Sequence, residues 1–337
     1  MSILHIDGFD LYGSASDLNT TYSSAGCNFS TTAGRFGGGA MQIGSYNQAL
    51  GYTLPSAQTE IWVGFALYST SGANQPVIGF RSASGTEAGV WYDAPSGTFI
   101  AHRGAGGTTL GSGVKNVNSA WHWLEFHFKL DGSAGVIEVW VDGVQVVNAT
   151  GQNTLGAGGS TVSAVIIGSD LSNNATNGYY DDLYILSTAG SGHTTRLGDS
   201  KVETLSPTSD AGPNNGTSSS GSNHYAMVND AHMDGSSSTI DLAGTSGQEE
   251  LFGIGSLAST PATVHAVKVT NIVQKTDAGV ISGEGVIVSS GTEADGVATP
   301  LTTSFSMLPA IFEQDPNTAA AWTYGGVNAA KIGFKVA

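Results

Sequence analysis

Residues 121–143 read WHWLEFHFKLDGSAGVIEVWVDG, and this stretch decides the fold. Apolar and polar residues alternate from Trp123 to Leu130, and the alternation resumes from Ile137 to Asp142 after a glycine-containing turn. Period-two alternation is typical of a strand with one buried face. Two such runs joined by a short turn predict an antiparallel hairpin.

The hydrophobic pattern also predicts the register of this hairpin, because apolar residues must face apolar residues across the strands. The simplest pairing puts Phe128 opposite Val139 in the core. On the other face it then pairs Lys129 with Glu138 as an ion pair, His127 with Trp140, and Glu125 with Asp142 as two like charges.

The second face of the hairpin is unusual for a face that should contact water, because from Trp123 to Asp142 it carries two tryptophans and three carboxylates. One interpretation is that a loop, a second domain or a neighbouring subunit covers it. Another is a glycan-binding surface, with an indole ring stacking on a sugar and carboxylates accepting hydroxyl hydrogen bonds. The candidate residues for a glycan site or an interface are Trp123, Glu125, His127, Glu138 and Trp140.

A third interpretation of the same face is a cation site. Glu125 and Asp142 would share a hard cation such as calcium, which favours oxygen ligands. No aspartate-rich loop of matching spacing accompanies them, so calcium is the weakest of the three interpretations and no other cofactor is expected.

The composition indicates an all-β protein of two domains. The chain has 337 residues, 48 glycines and only 11% charged residues, yet 40% of it is hydrophobic. Many short apolar runs separated by turn residues are typical of β folds rather than of disorder. The formal charge of −16 argues against nucleic acid and anionic membranes as partners.

The single cysteine, Cys27, excludes an intramolecular disulfide and is expected to pack as a small hydrophobe. The first residues show no secretory signal pattern, and no apolar run approaches the roughly 20 residues that span a bilayer. Synthesis in a reducing cytoplasm is therefore expected. The glycine- and serine-rich β composition suits work outside cells, and a virion component made in a bacterial host satisfies both conditions.

Strand patterns recur about every ten residues as far as Leu186, which is the spacing of a sandwich or jelly roll. The sequence then becomes polar, and PNNGTSSSGSN is its most linker-like stretch. The predicted organisation is a jelly roll in residues 1–190, a polar linker in 191–223 and a smaller β-rich domain in 224–337. One short helix is predicted to start near Asp315-Pro316.

Three elements in order carry a family resemblance: WHWLEFHFKLDGSAGVIEVWVDGVQV, then AVIIGSD (164–170), then YYDDLYIL (179–186). They resemble the laminin G-like, concanavalin A-like lectin/glucanase domains. The resemblance covers roughly residues 3–187 and implies a concanavalin A-like jelly-roll sandwich. Together with the second half of the chain, the fold class is therefore all-β, a jelly roll followed by a smaller β-rich domain.

Short motifs along the whole chain look like those of tailed-bacteriophage structural proteins that carry such a domain. They are DGFDLY (7–12), GRFGGGAMQIGS (34–45), LGDSKVETLSPTSDAG (197–212) and DPNTAAAWT (315–323). This resemblance implies a virion protein of the tail or a head-attached appendage, present as a homo-oligomer among other virion proteins. Its jelly roll would face host surface glycans.

An enzyme is not expected. Glucanases of the resembled superfamily place three carboxylates at alternate positions of one strand, and neither strand of the hairpin does so. Glu138 and Asp142 lie about 13 Å apart along a strand, beyond both glycosidase separations of about 5–5.5 Å and 6.5–9.5 Å. The alternatives left open are a free-standing carbohydrate-binding module and a glycan hydrolase with an unrecognised site.

Three turn features are predicted from residue type. Gly37 to Gly39 should form a tight connection with positive φ angles, and Asp142-Gly143 should form a turn. Asp181 and Asp182 are expected to end a loop and to accept hydrogen bonds from backbone N–H groups.

Overall fold

The computed structural model describes residues 2–23, 26–44, 48–70, 74–168, 178–190, 192–233, 235 and 237–337. The chain divides into two compact units, Met1–Val202 and Glu203–Ala337. In both units, nearly all of the regular secondary structure consists of antiparallel strands.

The described part of the first unit contains fourteen strands and a short 3-10 helix at Asp17–Thr20. The strands are β1 (Ile3–Asp7), β2 (Asn28–Ser30), β3 (Ala40–Ile43), β4 (Ala49–Gln58), β5 (Glu60–Ser69), β6 (Asn74–Ser82), β7 (Gly85–Asp93), β8 (Thr98–Arg103), β9 (Thr109–Val114), β10 (Trp121–Lys129), β11 (Gly135–Val141), β12 (Val144–Gln152), β13 (Val162–Gly168) and β14 (Gly178–Ser187). Of the AVIIGSD motif, residues 169 and 170 lie outside the described residues.

The strands form two sheets. The eight-stranded sheet runs β12-β11-β10-β5-β14-β3-β2, with β1 also paired to β14, and the six-stranded sheet runs β4-β13-β6-β7-β8-β9. Aromatic rings fill the space between them: Phe80 stacks on Phe128 at 4.3 Å, and Phe65 on Phe126 at 5.3 Å. The predicted fold class, an all-β jelly-roll sandwich, is confirmed.

The alternation in β10 sets which side chains reach this core. Leu124, Phe126 and Phe128 are fully buried between the sheets, and burial of each such side chain contributes about 1.5–3 kcal/mol. The intervening residues of β10 therefore lie on the outer face of the eight-stranded sheet.

The predicted hairpin register was wrong by two residues. The structure pairs Phe128 with Ile137, His127 with Glu138, and Glu125 with Trp140, so the Lys129–Glu138 and Glu125–Asp142 pairs do not form. A two-residue shift keeps each side chain on its predicted face. The cause lies in the turn, because the Leu130 N–H bonds to Thr59 O and the Asp131 carboxylate accepts from the backbone of Ser133 and Ala134.

The predictions for the turns at Gly37 to Gly39 and at Asp142-Gly143 are confirmed except at Gly39. Asp142 and Gly143 have φ angles of 49° and 77° and connect β11 directly to β12, as in a two-residue hairpin turn with positive φ. Gly37 and Gly38 have φ angles of 91° and 83°, as predicted. Gly39 does not share the positive φ; a Cβ there would collide with the Phe9 carbonyl oxygen.

The domain boundary lies later than predicted, and the polar stretch 191–223 is not one linker. Residue 191 lies outside the described residues, and residues 192–202 belong to the first unit. Pro207–Asn214 forms a strand that pairs with Glu249–Ile254 in the second unit. The polar composition misled the prediction because hydrogen bonds, rather than apolar burial, hold both segments.

The second unit is the smaller β-rich domain that was predicted. Its described elements are β15 (Pro207–Asn214), β16 (Thr217–Ser218), a 3-10 helix (His224–Met227), β17 (Ile240–Asp241), β18 (Glu249–Ile254), β19 (Val267–Val273), β20 (Ser282–Ser289), β21 (Thr292–Asp295), β22 (Thr299–Pro300), β23 (Ser306–Phe312), α1 (Tyr324–Ala329) and β24 (Lys331–Val336). One sheet runs β15-β18-β24-β20-β21, with β22 paired to β20, and β16-β17 and β19-β23 form two-stranded sheets.

The short helix lies in the predicted segment but starts later. The Thr323 side chain accepts a hydrogen bond from the Gly326 N–H and caps α1. Asp315 instead holds a turn by accepting from the Asn317 N–H. Trp322 and Val327 pack on Val269 and Ile287 in the core of this unit. Nowhere in the described residues is a helix long and apolar enough to cross a membrane.

Candidate functional site

Residues 192–202, which we call the strap, cover part of the outer face of the eight-stranded sheet. Beneath the strap, Glu125 is 0% exposed and Trp123 is 1% exposed. These two side chains therefore lie under chain from the same unit, whereas Glu138 and Trp140 are half-buried and Asp142 is exposed. Whether the five candidate residues bind a glycan or a partner stays a prediction.

Glu125 is the anchor of the strap. Its Oε1 accepts hydrogen bonds from the Tyr184 hydroxyl at 2.7 Å and from the Gly198 N–H at 2.8 Å. Its Oε2 accepts from Nη1 of Arg196 at 2.9 Å. A buried carboxylate is tolerated only when it is paired and hydrogen-bonded, and these three donors meet that condition.

Trp123 and Trp140 of the hairpin each contact an arginine. The guanidinium of Arg196 lies 4.2 Å from the centre of the Trp140 ring, and that of Arg35 lies 5.6 Å from the Trp123 ring. Trp123 also packs on Tyr184, with ring centres 5.9 Å apart. Cation–π contacts of this kind are worth about 0.5–2 kcal/mol each, so the rings stabilise the strap that covers them.

A second group of acids holds the end of the strap. Asp181 Oδ2 accepts from the Arg35 N–H and Asp182 Oδ1 accepts from the Val202 N–H, each at 2.7 Å. The Arg35 guanidinium donates to both carboxylate oxygens of Asp199 in the strap, at 2.7 and 2.8 Å. The predicted role of the two aspartates as backbone acceptors is confirmed, although they lie within β14 rather than at a loop end.

Burial raises the pKa of both Asp181 and Asp182 above the usual aspartate value, and for Asp181 the adjacent Asp182 charge adds to the rise. Asp182 is in turn only 3.8 Å from Nη1 of Arg35, which opposes the effect of burial. The two aspartates therefore hold the strap, and the free-energy cost of burying them depends on whether their carboxyl groups are ionised.

Beside the strap lies an open depression of about 390 Å³, lined by Trp62 and the strap residues Thr195 to Gly198. Trp62 stacks in parallel on His127, with ring centres 4.3 Å apart. The depression therefore combines an aromatic side chain of β5 with the backbone and side chains of the strap.

His127 bridges two carboxylates at the margin of this site. Its Nε2 lies 2.7 Å from Glu60 Oε1 and its Nδ1 lies 2.9 Å from Glu138 Oε2. Gln145 donates to the other oxygen of Glu138 at 2.9 Å. The side chains of Glu60, His127 and Glu138 are 30%, 14% and 18% exposed, so they form a partly accessible polar cluster.

Sequence reasoning missed Glu60, Gln145 and Arg196. The alternation of β5 placed Trp62 on the outer face, and pairing β5 with β10 would have brought Glu60 beside His127. The strap offered no such signal, because Arg196 lies 71 residues from Glu125 in a segment without periodicity.

Glu125 and Asp142, the weak candidates for a cation site, are not paired across the strands, because Glu125 lies opposite Trp140. Asp142 turns away from Glu125: its Oδ2 lies 2.8 Å from Nδ1 of His122, and its Oδ1 accepts from the Trp123 N–H. Glu125 is held by Arg196 as described. Among the described residues, no group of three or more histidine, cysteine, aspartate or glutamate side chains could hold a metal ion.

Gly64 makes room for this arrangement. A Cβ at position 64 would collide with the Tyr184 ring, which must reach Glu125. We expect Gly64→Ala to lower the free energy of unfolding by about 1–3 kcal/mol, the usual cost of overpacking, as measured by urea denaturation. Gly132→Ala, at a position without a positive φ where a Cβ would make only an ordinary contact with Leu155, is the control for loss of a glycine alone. An equal or larger effect of Gly132→Ala would contradict the proposed fit.

The fold and the strap define an antiparallel jelly-roll sandwich with one outer sheet face partly covered by residues 192–202 of the same unit. No family model matches the chain, and no curated protein matches it. Solved structures do match the fold.

A sialidase matches over 55% of this chain, with 16% identity and a TM-score of 0.41, and the match spans only 18% of the sialidase chain. Cellulose induced protein Cip1 matches over 58% of this chain and 93% of its own, at 18% identity and a TM-score of 0.40. A protein with a galectin-like fold from Bacillus subtilis matches over 56% and 96%, at 10% identity and a TM-score of 0.39.

Proposed function

We propose that the first unit binds a glycan without cleaving it, in the depression beside the strap. The observation that carries this proposal is the depression itself, which places Trp62, 7% exposed, next to the strap. Trp62 stacks on His127 and so adjoins the cluster of Glu60, His127 and Glu138. Ligand sites of about 300–1,000 Å³ commonly join an aromatic surface to a few polar groups. A sugar ring presents both an apolar face and hydroxyl groups, and so matches this combination.

The polar cluster suits hydroxyl groups in particular. Ionised carboxylates are acceptors only, and Glu60 and Glu138 are each partly exposed. The hydroxyls of a sugar at the margin of the depression would donate to these oxygens. Thr195, exposed on the strap, adds a hydroxyl of its own.

We further propose that the site has no glycosidase activity. Support comes from three of the carboxylates on this face, since each pairs with a basic side chain of the protein: Glu125 with Arg196, and both Glu60 and Glu138 with His127. We expect no release of reducing ends from β-glucans, agar or bacterial capsule polysaccharides above a heat-treated control. Release that Glu60→Gln or Glu138→Gln abolishes would contradict this expectation.

We propose a bacteriophage virion as the setting, with the chain repeated in the tail or in a head-attached appendage and the glycan belonging to the host surface. The support is the run of sequence motifs along the chain together with its acidic, glycine-rich composition. Labelling of purified particles with an antibody, viewed by negative-stain microscopy, tests this setting. Failure to label any particle would favour a free-standing carbohydrate-binding module instead.

Thr195→Trp tests the depression directly. A large side chain at this exposed lining position fills the space that a sugar would occupy, and we expect glycan affinity to fall by at least about tenfold, or 1.4 kcal/mol. The measurement is a glycan array followed by calorimetry on the full chain. Thr194→Trp, at the neighbouring exposed position outside the lining, is the matched control and should bind normally. Equal loss in both variants, or in neither, would refute the assignment.

A further inference from the structure

We infer that the depression selects uncharged glycans over acidic ones, and that Glu125 sets this selectivity by neutralising Arg196. The inference rests on the proposed glycan site and names the chemical class of its ligand. Arg196 is the cationic side chain in the lining of the depression. It is therefore the group to which the carboxylate of an acidic sugar would bind.

The positive charge of Arg196 is already paired with a carboxylate of the protein. Its Nη1 donates to Glu125 Oε2 at 2.9 Å, and the Glu125 side chain is 0% exposed whereas that of Arg196 is 31% exposed. A sugar carboxylate could take over Arg196 only by leaving Glu125 as an unpaired buried charge, which is strongly unfavourable. A carboxylate that merely shared Arg196 would bring a second anion close to the first.

The charges around the depression lead to the same conclusion. Glu60 and Glu138 both lie on His127, so two carboxylates share one basic ring at the margin. Lys129 lies directly across the strand pair from Glu60. Arg196 is the basic side chain among the described lining residues and is already paired with Glu125, so the lining offers no unpaired cation to an anionic ligand.

The charge of the whole chain adds to this local effect. A formal net charge of −16 produces a negative potential that slows the approach of polyanions at low salt. That potential does not change the rate at which an uncharged oligosaccharide approaches. Hydroxyl donors meeting carboxylate acceptors need no counter-charge.

Glu125→Gln provides the sharpest test. The amide oxygen can still accept from Tyr184 and from the Gly198 N–H, while the amide nitrogen faces Arg196 and leaves the guanidinium without its anion. We expect the wild-type full chain to bind at least one of cellohexaose, laminarihexaose and mannohexaose, and to bind hexauronates at least about tenfold more weakly. In Glu125→Gln the affinity for hexauronates should rise by about tenfold.

Asp199→Asn is the matched control. It removes one negative charge from the same strap, and the guanidinium that loses a carboxylate partner is that of Arg35 rather than that of Arg196. Its preference for uncharged hexaoses should be that of the wild type. An equal gain of hexauronate binding in Asp199→Asn would show that net charge alone sets the preference, and would overturn the role of Glu125.

The remaining outcomes separate this inference from the proposed function. Wild-type binding of hexauronates as tight as that of uncharged hexaoses overturns the selectivity and leaves glycan binding intact. If the wild type binds no hexaose but Glu125→Gln gains hexauronate binding, the proposed function fails and the charge argument stands. If neither protein binds any sugar, both fail.

A measurement on the wild type decides the question if Glu125→Gln does not fold. Binding of an uncharged hexaose should change less than about twofold between about 0.05 M and 0.5 M salt, because no ligand charge is screened. Hexauronate binding that is strong at the lower salt concentration and lost at the higher one would show an ionic contact with the ligand, and would overturn the inference.

Discussion

Arg196→Met should lower the free energy of unfolding of the first unit by about 2–4 kcal/mol, because it leaves Glu125 buried without a counter-charge. The Glu125 side chain is 0% exposed and that of Arg196 is 31% exposed, which places the effect at the lower end for a buried pair. The same change removes the cation from the Trp140 ring. Urea denaturation followed by tryptophan fluorescence measures it well, since five of the six tryptophans lie in the first unit.

A second variant shows whether the buried charge is the cause. Arg196→Met combined with Glu125→Gln removes that charge while keeping an oxygen for Tyr184 and Gly198, and should recover more than half of the lost stability. Arg103→Met is the control, because its guanidinium donates to the Thr108 hydroxyl rather than to a buried carboxylate. If Arg196→Met costs no more than Arg103→Met, the strap does not depend on this ion pair.

The first unit should become less stable as the pH rises from about 5 to about 8, by on the order of 3 kcal/mol. Burial raises the pKa of Asp181 and Asp182 in the folded chain, so the folded state binds more protons than the unfolded state in this range. Groups with a raised pKa contribute stability at low pH that is lost as the pH rises through the folded value. Urea denaturation at a series of pH values measures this slope.

Asp182→Asn should flatten this pH dependence. It removes the like charge beside Asp181 and keeps an oxygen to accept from the Val202 N–H. Asp199→Asn, at a side chain that is 60% exposed, should leave the slope as in the wild type. A slope that rises with pH, or one that Asp182→Asn does not change, would show that the two aspartates are fully ionised in the folded protein.

The sandwich could be predicted because its signal is local. Alternation within β10 and β11 assigns each side chain to a face, and this assignment survived even where the register did not. The register depends on where the turn begins, and that was decided by hydrogen bonds of Leu130 and Asp131. Such hydrogen bonds cannot be recognised from a hydrophobic pattern, so the two-residue shift in the β10–β11 register could not be predicted.

The site was predicted only in part, for a related reason. Trp123, Glu125 and Trp140 were identified because their residue types do not suit an exposed strand face. In the structure, Trp123 and Glu125 are buried under the strap, and Arg196 of the strap packs on Trp140. What covers them could not be predicted, because Arg196 and Gly198 meet Glu125 across 71 and 73 residues of sequence. A polar segment held by ion pairs and backbone N–H groups resembles a linker in composition.

The strap follows the strands of the first unit in the sequence, and this order affects how the protein folds during synthesis. During synthesis the ribosome adds Glu125 long before it adds Arg196, so a nascent chain that has already paired its strands still presents an uncovered outer face. Trp123 and Trp140 remain open to water or to chaperones until residues 192–202 have left the exit tunnel. A recombinant fragment ending at residue 190 would resemble that nascent state permanently, whereas one ending at residue 202 would carry its own cover.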